Sequence, residues 1–232
     1  MPAVLVTGSN RGLGLEWCRQ YAAAGWHVHA TCRFPEQADQ LHELAAHYPH
    51  LTLHRLDVTN ATQLAALTGE LGDTPLDLLV NNAGVYFERW DRDPLGAIDY
   101  NAWDETFRVN TLGAVRVTEA LADNLSRTVR PLVATITSHM GSIAEIGSAR
   151  SYAYRSSKAA LNAAMKGLAH ELGARGIGVL LFHPGWVKTR MGGPDAPHEA
   201  DKSVQGMRRL VDNFHLADSG HFYRWDGTTI PW

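Results

Sequence analysis

The chain has 232 residues, is 45% hydrophobic and 19% charged, and carries a formal net charge of −3. That is an ordinary globular composition, long enough to bury the core of one large α/β domain spanning residues 1–232. It excludes a polybasic nucleic-acid or membrane-surface binder, and no apolar run reaches the roughly 18 residues of a membrane span.

Ala3–Val6 is expected to be a short buried strand. Met1 to Val6 lacks the basic leading region of a secretory signal, so no signal peptide is expected. Thr7-Gly8-Ser9-Asn10-Arg11-Gly12-Leu13-Gly14 then leads into a helix over Leu13–Ala24. A glycine-rich turn between a strand and a helix cradles a dinucleotide. Gly8 supplies the tight turn, Gly12 lets backbone approach a pyrophosphate, and Gly14 lets the helix pack closely. The spacing is Gly-x-x-x-Gly-x-Gly rather than Gly-x-Gly-x-x-Gly.

The second strand, His27–Thr31, runs into Cys32-Arg33. A carboxylate here would bind a ribose 2′-hydroxyl. Arg33, with Arg11 nearby, would instead pair with a 2′-phosphate, so NADP(H) is the expected cofactor. A helix over Pro35–Tyr48 and a strand over Leu51–Leu56 follow. Asp57 and Val58 could hold an adenine, by carboxylate and by backbone; Asp57 could equally cap the next helix, Ala61–Leu71.

Strand Leu76–Asn81 ends in Asn81-Asn82-Ala83-Gly84, and a long helix is expected over Tyr100–Leu125. Strand Leu132–Thr137 ends at Ser138. In the helix over Ser151–Ala174, Tyr154 and Lys158 lie one turn apart on one face. An ammonium beside a phenol lowers the phenol pKa from about 10, which would let Tyr154 exchange a proton with a substrate oxygen near neutral pH. The last expected strand is Gly178–His183, followed by Pro184-Gly185. Repeated strand–helix alternation with continuously apolar strands predicts a doubly wound parallel sheet, a Rossmann fold. Cys18 and Cys32 have neither metal-site spacing nor disulfide-scaffold density, so no metal and a reducing, cytoplasmic setting are expected.

Together, Thr7-Gly8-x-x-x-Gly12-x-Gly14, Asn81-Asn82-Ala83-Gly84, Asn110, Ser138, Tyr154-x-x-x-Lys158 and Pro184-Gly185 resemble the short-chain dehydrogenase/reductase family over nearly the whole chain. Tyr152-Ala153-Tyr154-Arg155-Ser156-Ser157-Lys158 and Asp226-Gly227-x-x-Ile230-Pro231-Trp232 resemble its carbonyl reductases of the sniffer and C-factor kind. The resemblance implies a catalytic tetrad of Asn110, Ser138, Tyr154 and Lys158, with Asn110 holding a water that links Lys158 to solvent. Ser142 is a rival to Ser138, and Tyr152, without a lysine four residues on, is a weaker rival to Tyr154. The implied cofactor contacts are Gly8, Asn10, Arg11, Gly12, Leu13, Gly14, Arg33, Asp57, Val58, Asn82, Ala83, Gly84, Tyr154, Lys158, Pro184, Gly185, Val187 and Thr189. Asn81 is expected to tie strands together, and Arg190 stands where many relatives carry an acid.

The implied activity is reduction of a ketone, aldehyde or quinone, or the reverse oxidation of an alcohol. Val85-Tyr86-Phe87, Trp90, His139-Met140 and Trp186 to Gly193 would line the pocket. The resemblance also implies a homodimer or homotetramer, formed through helices Tyr100–Leu125 and Ser151–Ala174. The alternative is a dinucleotide-binding sensor or scaffold of the same fold without turnover.

Overall fold

Strands that are apolar on both faces must be covered on both faces. In the computed structural model, which describes residues 1–88 and 94–232, seven strands form one parallel sheet. They are β1 (Ala3–Thr7), β2 (His27–Cys32), β3 (Leu51–Arg55), β4 (Leu78–Asn81), β5 (Leu132–Ile136), β6 (Gly178–His183) and β7 (His221–Arg224), in the order β3-β2-β1-β4-β5-β6-β7. The doubly wound Rossmann arrangement is therefore present.

Alternate side chains divide the core in two. Ala30, Val6, Val80, Ala134 and Leu180 form one row across the sheet. They pack against α1 (Gly12–Ala23), α2 (Asp39–His47) and α7 (Ala200–Asp212), through Trp17, Tyr21, Leu41, Val204 and Met207. On the other face Leu5, Leu79, Val133 and Leu181 meet α3 (Ala61–Leu71), α5 (Ala114–Leu125) and α6 (Tyr152–Gly173).

Several expected elements differ. The helix over Pro35–Tyr48 divides into a 3₁₀ turn, Pro35–Gln37, and α2. The expected Tyr100–Leu125 helix is α4 (Tyr100–Phe107) joined to α5 through a π-helical turn, Arg108–Gly113. There Gly113 lies against Val58; a Cβ on it would come within 2.5 Å of Val58 Cγ2. Neither α7 nor β7 was anticipated. Gly206 masks α7 as a helix, yet a Cβ there would sit 2.3 Å from the Trp225 carbonyl oxygen. β7 is a four-residue edge strand of mixed polarity, too short to show a period.

Candidate active site

The strand order reverses direction between β1 and β4, and the loops after these strands meet there. Gly8 has φ +65°, a conformation that favours glycine, and a Cβ on it would lie 2.9 Å from Ala83 Cα. A Cβ on Gly14 would lie 2.4 Å from the Gly8 carbonyl oxygen and 2.5 Å from Asn82 Nδ2. Thr7 joins the two loops: its Oγ1 accepts from the amides of Asn82 and Ala83, each at 3.0 Å. Asn82 Nδ2 donates to the carbonyls of Thr7 (2.9 Å) and Gly8 (3.0 Å). Asn81 instead ties the sheet to α5, donating to Thr118 Oγ1 at 2.8 Å, so the expected strand-to-strand tie is a strand-to-helix tie.

This cradle fits a dinucleotide. No side chain caps α1, so the N–H groups of its first turn remain for an anion. The loop after β6 closes over it, with Thr189 Cγ2 3.3 Å from where a Gly12 Cβ would be. The Arg11 guanidinium is held below its ordinary pKa by partial burial and by the like charges of Arg190 and Arg33. Three cations thus converge at one end of the crevice. Asn10 lies in the glycine loop and Leu13 in the first turn of α1. Val58 is buried at the rim, and Asp57 does not cap α3. That cap is Asn60, which accepts from the Gln63 amide at 3.0 Å, while Asp57 Oδ1 accepts from the Thr59 amide and hydroxyl.

The four proposed catalytic residues converge beyond this crevice. Asn110 comes from the π turn and is fully engaged. Its Oδ1 accepts from the Val85 amide at 2.8 Å, and its Nδ2 donates to the Val85 carbonyl and to Ser157 Oγ. Both donors of its side-chain amide are thus used in bracing Val85 and Ser157. Ser138 Oγ accepts from the Met140 amide at 3.1 Å and lies close enough to the Tyr154 hydroxyl to oppose the rise of its pKa. The hydroxyl of the rival Ser142 is buried without a hydrogen-bond partner, and Tyr152 stacks on Trp103.

The electrostatics reverse one expectation. Burial pushes the Tyr154 phenol up to about 12, against the opposing hydrogen bond from Ser138; the neighbouring Tyr86 adds to the rise. Burial also pushes the Lys158 ammonium down to about 8. Lys158 Nζ donates to the Ile136 carbonyl at 2.9 Å and lies 5.9 Å from the centre of the Tyr154 ring. In the chain alone Tyr154 is therefore a protonated phenol near neutral pH, rather than one tuned toward phenolate by Lys158.

Phe87, Trp186 and Met191 are exposed apolar side chains of the loops after β4 and β6, and Met191 Sδ stands 4.0 Å from Tyr154 Oη. His139 pairs with Glu145. Gly185 (φ +84°) turns the chain after Pro184 beneath Trp225 and His198, and buried Val187 bridges to His198. Trp90, expected in the pocket, lies outside the described residues. The motifs mark the expected residues, Thr7 among them, but not the bonds of Thr7 Oγ1 to the Asn82 and Ala83 amides, the approach of Met191 to Tyr154 or the tie of Lys158 to the Ile136 carbonyl. Among the described residues no group of three or more His, Cys, Asp or Glu is placed to hold a metal ion.

Residues 2–200 match the short chain dehydrogenase family. The chain belongs to that family. This dehydrogenase is 45% identical to the C-signal protein of Myxococcus xanthus over 158 residues, 68% of this chain and 93% of the relative. Its fold is similar to that of the NADPH-bound carbonyl reductase from chicken fatty liver: TM-score 0.91, 31% identity, covering 100% of this chain and 99% of the other. It is also similar to the carbonyl reductase Sniffer of D. melanogaster, with TM-score 0.90 and 30% identity over 100% of both chains. The dehydrogenase is an oxidoreductase by family. Among its described residues no helix is long and apolar enough to cross a membrane.

Proposed function

We propose that this short-chain dehydrogenase is an NADP(H)-dependent carbonyl reductase acting on small apolar ketones, aldehydes or quinones. The observation that carries the reading is a buried Tyr154 side chain whose hydroxyl stands beside Ser138 and 4.0 Å from Met191 Sδ. The NADPH and NADP complexes of the similar carbonyl reductases support the cofactor assignment. So does the convergence of Arg11, Arg33 and Arg190.

Gly8, Asn10, Arg11, Gly12, Leu13 and Gly14 would hold the pyrophosphate end, and Arg33 the 2′-phosphate. Asp57 and Val58 would flank the adenine. Asn82, Ala83, Gly84, Tyr154, Lys158, Pro184, Gly185, Val187 and Thr189 would hold the nicotinamide half. When bound, the reduced nicotinamide supplies a hydride. Ser138 donates a hydrogen bond to the substrate carbonyl oxygen, and Tyr154 passes its proton to that oxygen. A phenol kept protonated by burial is the form that reduction consumes. Lys158, lowered to about 8 by burial and with Nζ 5.9 Å from the centre of the Tyr154 ring, would return a proton to the resulting phenolate. Asn110 contributes by fixing Val85 and Ser157 around this group.

We place the enzyme in the cytoplasm, a setting that suits its two free, buried thiols. We further propose a homodimer or homotetramer through α4, α5 and α6, supported by the half-buried Ala159 and Ala160 and the exposed Ala163 on α6. Light scattering tests it: a single species of 25.5 kDa would refute the assembly. Oxidation of NADPH followed at 340 nm with a panel of aromatic and aliphatic carbonyls tests the activity. No turnover with any member, despite tight NADPH binding, would favour the sensor or scaffold reading.

A further inference from the structure

The catalytic helix α6 lacks a cap of its own. Its N-cap residue Ser151 sits in the left-handed region (φ 54°, ψ 39°) and makes no side-chain cap bond. Arg150 before it is also left-handed (φ 78°), so two consecutive non-glycine residues are held in a costly backbone conformation. The open donors of a first helical turn are the amides at its second and third positions, here Ala153 and Tyr154. Both donate to the carboxylate of Glu88: Ala153 N to Oε1 at 3.1 Å and Tyr154 N to Oε2 at 2.8 Å. Glu88 is 8% exposed and comes from the loop after β4, 66 residues earlier in the chain.

The same loop touches the helix start again. Tyr86 Oη bonds Ser151 Oγ at 2.9 Å, and the Tyr86 ring lies 4.8 Å from the Tyr154 ring. Val85 is gripped at both its amide and carbonyl by Asn110. The pocket loop, Asn110 and the catalytic turn therefore form one connected unit. A carboxylate bonded to two amides, one of them that of the reacting tyrosine, also lies favourably at the positive end of the helix.

We propose that Glu88 is a positioning residue of the reductase, which caps α6 from outside the helix and so sets where the Tyr154 hydroxyl stands relative to Ser138. The inference rests on the carbonyl-reductase reading for its kinetic consequence, but not for the cap itself. Glu88→Ala removes both acceptors. Glu88→Gln keeps one carbonyl oxygen near the two amides.

Two measurements test it. In hydrogen-exchange mass spectrometry of the full chain, Glu88→Ala should speed exchange at the Ala153 and Tyr154 amides about tenfold or more, and Glu88→Gln less. In NADPH-dependent turnover, Glu88→Ala should lower kcat by about tenfold to a hundredfold while the NADPH Kd stays within about threefold, and Glu88→Gln should recover part of kcat. Retained NADPH affinity shows that the variant is folded. Unchanged exchange at the two amides, or unchanged kcat with faster exchange, overturns the proposal. If the wild-type chain reduces no carbonyl, the proposed activity fails, and the exchange data alone decide whether Glu88 is the cap.

Discussion

Lys158 Nζ donates to the Ile136 carbonyl oxygen at 2.9 Å, so the buried ammonium is tied to the end of β5 rather than to the phenol one turn away. Its pKa is lowered to about 8 by burial, from an ordinary value of 10.5. Below pH 8 both the folded and unfolded chains carry the charge, and the folded chain bears its full desolvation cost. Between pH 8 and 10.5 the unfolded chain binds more protons, so stability rises with pH through that window.

Lys158→Met removes this ionisation. At pH 7 the variant should be more stable than wild type by up to about 3 kcal/mol, less the lost bond to Ile136. The difference should shrink as pH rises from 8 to 10.5. Urea unfolding at pH 7, 9 and 10.5 measures it, and a pH-independent difference would contradict the buried-ammonium assignment.

Tyr154→Phe deletes the proton donor but leaves the nucleotide cradle. We expect kcat to fall by about a hundredfold to ten-thousandfold, with the NADPH Kd changed by no more than about threefold. Lys158→Ala should impair both quantities. Wild-type kcat in Tyr154→Phe would remove Tyr154 from the mechanism.

Arg33 should confer cofactor preference. A charge-assisted contact to a 2′-phosphate contributes about 1.5–3 kcal/mol, equivalent to about a tenfold to hundredfold tighter Kd for NADPH than for NADH. Arg33→Ala should erase most of that margin while leaving NADH affinity nearly unchanged. Calorimetry with both reduced cofactors gives the answer; equal affinities in the wild type would sink the assignment.

Met191 covers the Tyr154 hydroxyl, with Sδ 4.0 Å from Tyr154 Oη and 48% of the residue exposed. Met191→Ala should open the approach. KM should fall several-fold for bulky aryl ketones, while kcat for small aldehydes changes little. Identical KM values across substrate sizes would show that Met191 does not limit access.

Much was legible in the residue order because it depends on short-range rules. Apolar runs of strand length alternating with helical patterns were enough for the parallel sheet, and Gly8, Gly12 and Gly14 marked where backbone must turn or approach closely. Tyr154 and Lys158 share a helix face by spacing alone. What escaped depends on distant chain or on the surrounding dielectric. The bond from Lys158 to Ile136 spans 22 residues, and the cap from Glu88 to Tyr154 spans 66. Spacing places an ammonium near a phenol, but only the packed interior shows that burial moves their pKa values apart, to about 8 for the lysine and about 12 for the tyrosine. The π turn that aims Asn110 at Val85 likewise belongs to the assembled core, where Gly113 must lie against Val58. The sequence by itself thus determined the sheet and the glycine cradle and marked the candidate reacting groups. Their protonation, their bracing and the cover over Tyr154 were decided by tertiary structure, because desolvation and long-range hydrogen bonds exist only once the chain has closed around them.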